Sequence, residues 1–327
     1  MAAELAKEGG KWGVLLLAHG APSRLEDIPA FLLNVRDGRK LPDAVVNEII
    51  RRYSLIGGSP LLPLTTLQAE GLAKLLGRPV YVGMRNWKPF ISEALRQIKA
   101  DGVERVVALC LAPQNSRTSI GLYKKYLFED VERLAPNVQV DFIENWHDHS
   151  GLVEAFRERV ATALARVQAA AGGPVPVIFT AHSVPERTIQ CGDPYEQQVR
   201  ETAALVAKAV GLEEYSVAFQ SQGMTGEVWI GPTVESLIDQ LAAQGHGSAG
   251  PALRTCGSHV LLAPVGFVCD HVEILYDIDI FFREYGKTRG VTVHRSASLN
   301  DSPLFIQALA AIVTERLGGK AEKSRQR

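Results

Sequence analysis

Two histidines stand at the ends of apolar runs: His19 in VLLLAHGAPSRL (Val14 to Leu25) and His182 in VIFTAHSVPERT (Val177 to Thr188). Each run closes in Ala-His, a small residue, one further residue and Pro, and the two motifs lie 163 residues apart. Imidazole titrates near neutrality, so a histidine facing a crevice is suited to proton transfer, and its neutral form is a common metal ligand. A lone histidine more often simply packs or caps a strand–helix turn. The stretch APVGFVCDHVEILYDIDIFFREY alters that balance. Glu273 and Asp277 are four residues apart, on one face of a predicted helix, among Val, Ile, Leu and Tyr. Carboxylates in apolar surroundings are costly unless paired, hydrogen-bonded or metal-bound. A capping pattern with Asp270 as N-cap and Glu273 three residues on accounts for Glu273, but it leaves Asp277 and Asp279 unexplained. A histidine facing a carboxylate is a minimal site for a divalent first-row metal such as Fe(II).

A second group is cationic. NVRDGRKLPD carries Arg36, Arg39 and Lys40; RRYSLIGGSPL carries Arg51, Arg52 and Ser59; APQNSRTSIGLY leads to Tyr123. Guanidinium pairs well with carboxylate, so such residues near a crevice suit an anionic ligand, although ordinary surface charge explains most arginines. The usual phosphate and nucleophile signatures are missing: the sequence has no G-x-G-x-x-G after the first strand, no G-x-x-x-x-G-K-[ST] and no G-x-S-x-G.

Short Val-, Ile- and Leu-rich runs without alternation alternate with amphipathic stretches. Strands are expected at Gly13–Ala18, Val80–Gly83, Val103–Leu111, Val138–Ile143, Val175–Thr180, Tyr215–Phe219, His259–Pro264 and Val291–Arg295, with helices between them, among them Gly151–Ala169 and Glu273–Glu284. This pattern predicts an α/β protein of doubly wound parallel sheets. The repeated Ala-His-x-x-Pro motif, and a weaker echo between VVALCLAPQNS and HVLLAPVGFVCD, point to two related halves, with the break near the start of the helix at 151. AAAGGPVPV (169–177) is the best linker by composition. In open α/β sheets ligands bind outside the carboxyl ends of strands, which is where these motifs place their polar residues.

With 327 residues and 46% hydrophobic content, the chain is long enough for two cores. A net charge of -1 argues against a nucleic-acid coat, and the basic run KAEKSRQR reads as a solvated tail. Four cysteines, Cys110, Cys191, Cys256 and Cys269, show no C-x-x-C spacing and are expected as reduced thiols. MAAELAKEGGKW lacks an apolar core, so no secretory signal is expected. No apolar run approaches the roughly 20 residues of a membrane span. A cytoplasmic protein follows as the expectation, monomeric by default.

RRYSLIGGSPL, GMRNWKPFI, APQNSRTSIGLY, FTAHSVP, GDPYEQQV, FQSQGMTGEVWIGP and GFVCDHVEILYDID occur in this order, and with them the sequence resembles the ferrochelatases, class II chelatases that insert ferrous iron into a porphyrin. The resemblance implies two Rossmann-like, chelatase-like domains, 1–150 and 151–302, with a porphyrin cleft between them. The stretch 303–327 would then be a C-terminal helix, packing back on the first half, and a basic tail. The resemblance also assigns His182 and Glu273 as the metal-site and catalytic pair and Asp277 as part of an acidic line. Arg36, Arg52, Ser59 and Tyr123 fall near the macrocycle's carboxylates or at an outer, weaker metal site, and Trp229 on the pocket wall. In this scheme a neutral His182 accepts a pyrrole proton while Glu273 holds iron or relays a proton. His19 stands where relatives commonly have Tyr or Met, as a wall residue with some product contact rather than an axial ligand. Phe281 replaces a third acidic residue, which shortens the acidic line. Iron and a porphyrin are the implied substrates. The short polar segment NVRDGRKLPDAV resembles that of coproporphyrin-using enzymes, so coproporphyrin III is expected ahead of protoporphyrin IX. No tightly bound cofactor and no iron–sulfur cluster is expected. A cobalt or nickel tetrapyrrole chelatase, and a haem- or metal-binding protein without turnover, are the alternatives.

Overall fold

The computed structural model describes residues 10–223, 226–247 and 258–325. Cys256, the first nine residues and the last two therefore lie outside the described residues, and nothing is said of the side chains from 319 onward. The first compact unit comprises the chain up to Leu152 and from Asn300 onward; Val153–Leu299 forms the second.

In the first unit β1 (Trp12–Ala18) lies between β2 (Val80–Met84) and β3 (Arg105–Cys110), with β4 (Gln139–Ile143) beyond β3; all pairings are parallel. Val14, Leu15, Leu16 and Leu17 are all fully buried, which explains the unbroken apolar run: a central parallel strand has helices on both faces. The connecting helices are α1 (Ile28–Val35), α2 (Asp43–Leu55), α3 (Leu61–Leu76), α4 (Ile91–Ala100) and α5 (Ile120–Leu134). One face of the sheet closes over a core that includes Leu15, Leu17, Leu95, Ile98, Val106 and Leu127. Each such side chain, fully buried, stabilises by about 1.5–3 kcal/mol.

Helix α6 (Ser150–Ala171) leads into the second unit, where the sheet order β6-β5-β7-β8 repeats that of the first sheet, β2-β1-β3-β4. The strands are β5 (Val177–His182), β6 (Ser216–Gln220), β7 (Ser258–Pro264) and β8 (Val291–Arg295), again parallel. Helices α7 (Glu186–Gln190), α8 (Tyr195–Val210) and α9 (Val234–Gly247) connect the first three strands. Between β7 and β8 come α10 (Val272–Leu275), a π-helical turn (Asp277–Phe282) and α11 (Arg283–Lys287); helix α12 (Pro303–Arg325) then returns to the first unit and packs on α3. In both sheets the chain leaves the first strand to one side and returns on the other, so a topological switch point lies beside β1 and beside β5.

Two differences from the expected elements matter for function. Strand β5 runs on through His182, which pairs in register with Gln220, so the histidine is the last strand residue rather than the first beyond it. The helix expected over Glu273–Glu284 is not continuous. The carbonyl of Tyr276 accepts both Ile280 N at 3.1 Å and Phe281 N at 2.8 Å, and the wider i→i+5 register takes over. Single π turns inside α-helices recur at functional sites.

Candidate active site

The end of β5 is tightly fixed. Tyr195 donates its hydroxyl to the His182 carbonyl at 2.9 Å, and Ser183 N bonds the Gln220 carbonyl at 2.7 Å. The buried Ser183 hydroxyl donates to the Ile230 carbonyl at 2.8 Å. Gly266 passes so close beneath that a Cβ on it would sit 2.5 Å from Ala181 Cβ; only glycine lets the β7–α10 loop approach this strand end. His182 Nδ1 bonds the Ser183 carbonyl. A carbonyl only accepts, so Nδ1 carries the hydrogen and Nε2 is the nitrogen turned outward.

Nε2 lies 3.4 Å from Glu273 Oε1. Burial works against a charged imidazole here. The Glu273 carboxylate and its hydrogen bond, the Ser183 carbonyl and Asp277 outweigh it, however, and raise the His182 pKa to about 9. The charged form of His182 is thereby favoured beside Glu273, where the expectation was a neutral histidine. Their side chains are about one-third exposed, 36% and 32%, so the pair remains open to a ligand.

Glu273 is held from both sides. Gln220 Nε2 donates to its carbonyl at 2.7 Å, and its own N–H donates to His271 Nδ1 at 3.2 Å. His271, not Asp270, is the N-cap of α10. Asp270 instead accepts from Arg295 and Ser298. Burial keeps His271 below the ordinary histidine pKa, against the pull of Glu273 and Asp270, and its Nδ1 accepts a hydrogen bond, as an unprotonated ring nitrogen does. Its Nδ1 is 4.0 Å from Glu273 Oε2. Asp277 accepts from the Ser221 hydroxyl and is close enough to help raise His182. Ser221 adopts φ +61°, a left-handed conformation unusual for a non-glycine residue, directly after the end of β6.

Asp279, which the capping pattern left unexplained, is held by two arginines. It pairs with Arg295 at 2.8 Å and with Arg283 at 3.1 Å. Phe281 is 40% exposed and packs against Phe282 and Tyr285. Trp229 is carried beside His182, ring centroids 6.4 Å apart, because Val228 and Ile230 bond the backbone of Glu186 and Val184. Its buried Nε1 has no hydrogen-bond partner among the described residues. Sequence reasoning missed His271, Gln220, Ser221 and Tyr195. His271 was signalled by its place two residues before Glu273; Gln220 and Ser221 act through folded contacts that no local pattern reveals.

The remaining expected residues belong to the first unit. His19 follows β1, and its Nδ1 bonds the Gly20 carbonyl at 3.0 Å. Its ring meets Phe31 edge-on at 6.0 Å. Arg36 ends α1, with a buried Nε that has no hydrogen-bond partner among the described residues. Arg52 bonds Glu48 at 2.9 Å, and with Arg51 it holds that carboxyl down at about 2. Ser59 is buried, and its Oγ accepts from Leu61 N at 3.3 Å at the start of α3. Just before it, Gly58 at φ +91° brings its backbone against Ser23; a Cβ there would lie 2.3 Å from the Ser23 carbonyl oxygen. Tyr123 is buried beneath the Arg85 guanidinium, 5.0 Å from its ring, and burial pushes its phenol well up despite that charge.

Among the described residues no group of three or more His, Cys, Asp or Glu side chains comes together to hold a metal ion. Cys110 and Cys269 are free thiols, and burial lifts Cys269 to about 12. No helix of the described residues is long and apolar enough to cross a membrane.

A family model described as Ferrochelatase matches residues 11–317. A ferrochelatase of Acidobacterium capsulatum is 47% identical over 93% of this chain and 94% of its own length. A coproporphyrin III ferrochelatase of a Geobacillus species is 36% identical over 94% of this chain and 98% of its own. Among solved structures, the sirohydrochlorin chelatase SirB of Bacillus subtilis subspecies spizizenii superposes with a TM-score of 0.58 at 10% identity. It covers 94% of this chain and 96% of that one, which establishes a shared fold.

Proposed function

The chain belongs to the ferrochelatase family, and on that premise we propose that ferrous iron passes to the porphyrin by way of His182 and Glu273. The protein inserts iron into a porphyrin, and these are its two substrates. One observation carries the site assignment: Nε2 of a strand-end histidine lies 3.4 Å from a carboxylate, and both side chains are about one-third exposed. A storage site fills the coordination sphere of its metal. A transfer site must release it, and two ligands leave most positions open.

The overall exchange replaces two pyrrole N–H protons with one Fe²⁺. The raised pKa of His182 favours its protonated form, which occupies the place beside Glu273 that a cation would take. Iron arriving at Glu273 therefore expels a proton from His182, since metal ligands bind in their deprotonated form. As iron passes on to the porphyrin, Nε2 is vacated again and accepts one of the two pyrrole protons as general base. Asp277 and His271 flank the pair and offer the next acceptors. Fixed donors on the other atoms of this group, from Gln220, Ser221 and Tyr195, keep the two reactive atoms in place.

Within this reading coproporphyrin III is the substrate. Four propionates call for more cationic partners than two, and the short segment bearing Arg36, Arg39 and Lys40 supplies them. The partnerless Nε–H of Arg36 is a donor that a carboxylate would satisfy. The Geobacillus relative, whose name specifies coproporphyrin III, supports the same choice. The test is kcat/KM on coproporphyrin III against protoporphyrin IX. A clear preference for the first is expected, and equal or reversed preference sinks this choice. The proposal uses no resident cofactor or iron–sulfur cluster and takes the protein as a cytoplasmic monomer. Sulfide analysis and light scattering on the purified chain check the cluster and the oligomeric state.

A further inference from the structure

We propose that Arg295 is a positioning residue for iron insertion. It holds the carboxylate-bearing segment in its widened turn, so that Glu273 and Asp277 keep their places beside His182. The inference rests on the reading of His182 and Glu273 as the metal pair.

Arg295 is the last residue of β8, and its side chain is only 13% exposed. Its Nε and Nη2 donate to the two oxygens of Asp279 at 3.0 and 2.8 Å. Its Nη1 reaches Asp270 at 3.2 Å, Ser298 Oγ at 3.2 Å and the Ser296 carbonyl at 3.3 Å. Ser298 in turn donates to Asp270 at 2.7 Å. Asp270 precedes α10, and Asp279 lies inside the π turn. One guanidinium thus spans both ends of the stretch that carries Glu273 and Asp277.

Between these anchors the backbone has a choice. The Tyr276 carbonyl accepts from both Ile280 and Phe281, so the α and π registers compete for one acceptor. Glu273 lies before that point and Asp277 after it. Reversion to the α register would turn the residues beyond Tyr276 by about 100° relative to Glu273, one residue's rotation. Asp279 sits within the contested turn, and its tether to Arg295 selects the π register. From the other side, Ser221 grips Asp277 and Gln220 grips the Glu273 carbonyl. A lysine cannot replace Arg295, because a point charge on a flexible stem has no fork to bridge two carboxylates.

The simpler possibility is that Arg295 only fastens the fold. Arg295→Met alone would take the bridging guanidinium from two carboxylates, leaving Asp279 to Arg283 and Asp270 to Ser298, and would confuse the two roles. Arg295→Met with Asp279→Leu replaces the pair by apolar side chains, a change that is often neutral or stabilising. For the full chain we would measure the urea midpoint, kcat for iron insertion, and amide exchange across residues 277–282. The expected result is a midpoint at or above the parent's, faster exchange in that segment and a kcat about 100-fold lower, the size expected from a misplaced reactive group. Parental kcat with parental exchange would overturn the proposal. Arg295→Lys, which keeps the buried charge, is expected to remain impaired in kcat with an unchanged KM for porphyrin; full recovery would overturn it. Should the double variant not fold, the lysine variant decides alone. Glu273→Gln is run alongside. If it loses activity while the Arg295 variants keep theirs, only this proposal falls. If it keeps activity, the metal-pair reading falls instead, and the exchange data then decide whether Arg295 holds the turn.

Discussion

Strands β1 and β5 occupy the same place in sheets of the same order, and each leads into a histidine whose Nδ1 bonds the next residue's carbonyl. Beyond that carbonyl the two histidines part. His182 faces Glu273 at 3.4 Å and is driven toward the imidazolium; His19 meets the edge of Phe31 at 6.0 Å. The divergence arises at the neighbouring strand across the switch point. After β7 the chain reads VGFVCDHVE, which brings Asp270, His271 and Glu273; after β3 it reads LAPQNSRTSIGLY, with no carboxylate before Tyr123. Two copies of one scaffold have thus been given opposite electrostatic tasks. The second is equipped to attract a cation, whereas the first carries hydroxyls and guanidinium groups that suit an anion.

The largest effect that separates them is on turnover. His182→Ala should lower kcat for iron insertion by about 10²–10⁴-fold, the usual contribution of a general base, while His19→Ala should cost less than about tenfold. Comparable losses from the two substitutions, in folded protein, would erase the asymmetry. Glu273→Gln comes next. It should lower kcat by about 100-fold or more, and it should return the His182 pKa, followed by NMR of the ring protons, from about 9 toward the ordinary 6.5. A titration still near 9 in this variant would mean that Asp277 or the Ser183 carbonyl sets the charge.

A smaller effect is on stability. Because the folded-state pKa of His182 lies above its ordinary value, the contribution of its charge is fully present below pH 6.5 and is lost as pH rises through about 9. The pair is partly exposed, so solvent screens this contribution. The urea midpoint of the metal-free protein should decline modestly across that window, and the decline should vanish in Glu273→Gln. A midpoint that rises with pH, or falls equally in the variant, would contradict the assignment. The smallest effect belongs to the product. If His19 is a wall residue, the Soret band of bound haem should stay in place in His19→Ala, and a shifted band would make it an iron ligand.

Much of this site was legible before any coordinates. Unbroken apolar runs such as VLLLA mark central parallel strands, because a strand covered on both faces has no reason to alternate. Histidines at their carboxyl ends mark the crevice. Element ends were less legible. The apolar run alone ends β5 at Thr180, yet pairing with Gln220 carries the strand on to His182, and that pairing depends on residues far along the chain. The capping pattern pointed to Asp270, but the distant Arg295 claims that carboxylate, and His271 caps instead. Arg36, Arg52 and Ser59 were grouped by type alone. In the fold Ser59 turns inward to the start of α3, Arg52 leans on Glu48, and only Arg36 retains a buried N–H without a partner among the described residues.

The sequence by itself determined the alternation of strands and helices, the two histidine-tipped strand ends and the acidic segment after β7, because these follow from local periodicity and residue type. Tertiary structure decided which histidine meets a carboxylate and in which direction its pKa is driven. It also decided that Asp279 pairs with Arg295 and that the helix widens after Tyr276. Those outcomes depend on distances between residues remote in the chain, where Coulomb and hydrogen-bond energies change steeply over an ångström or two.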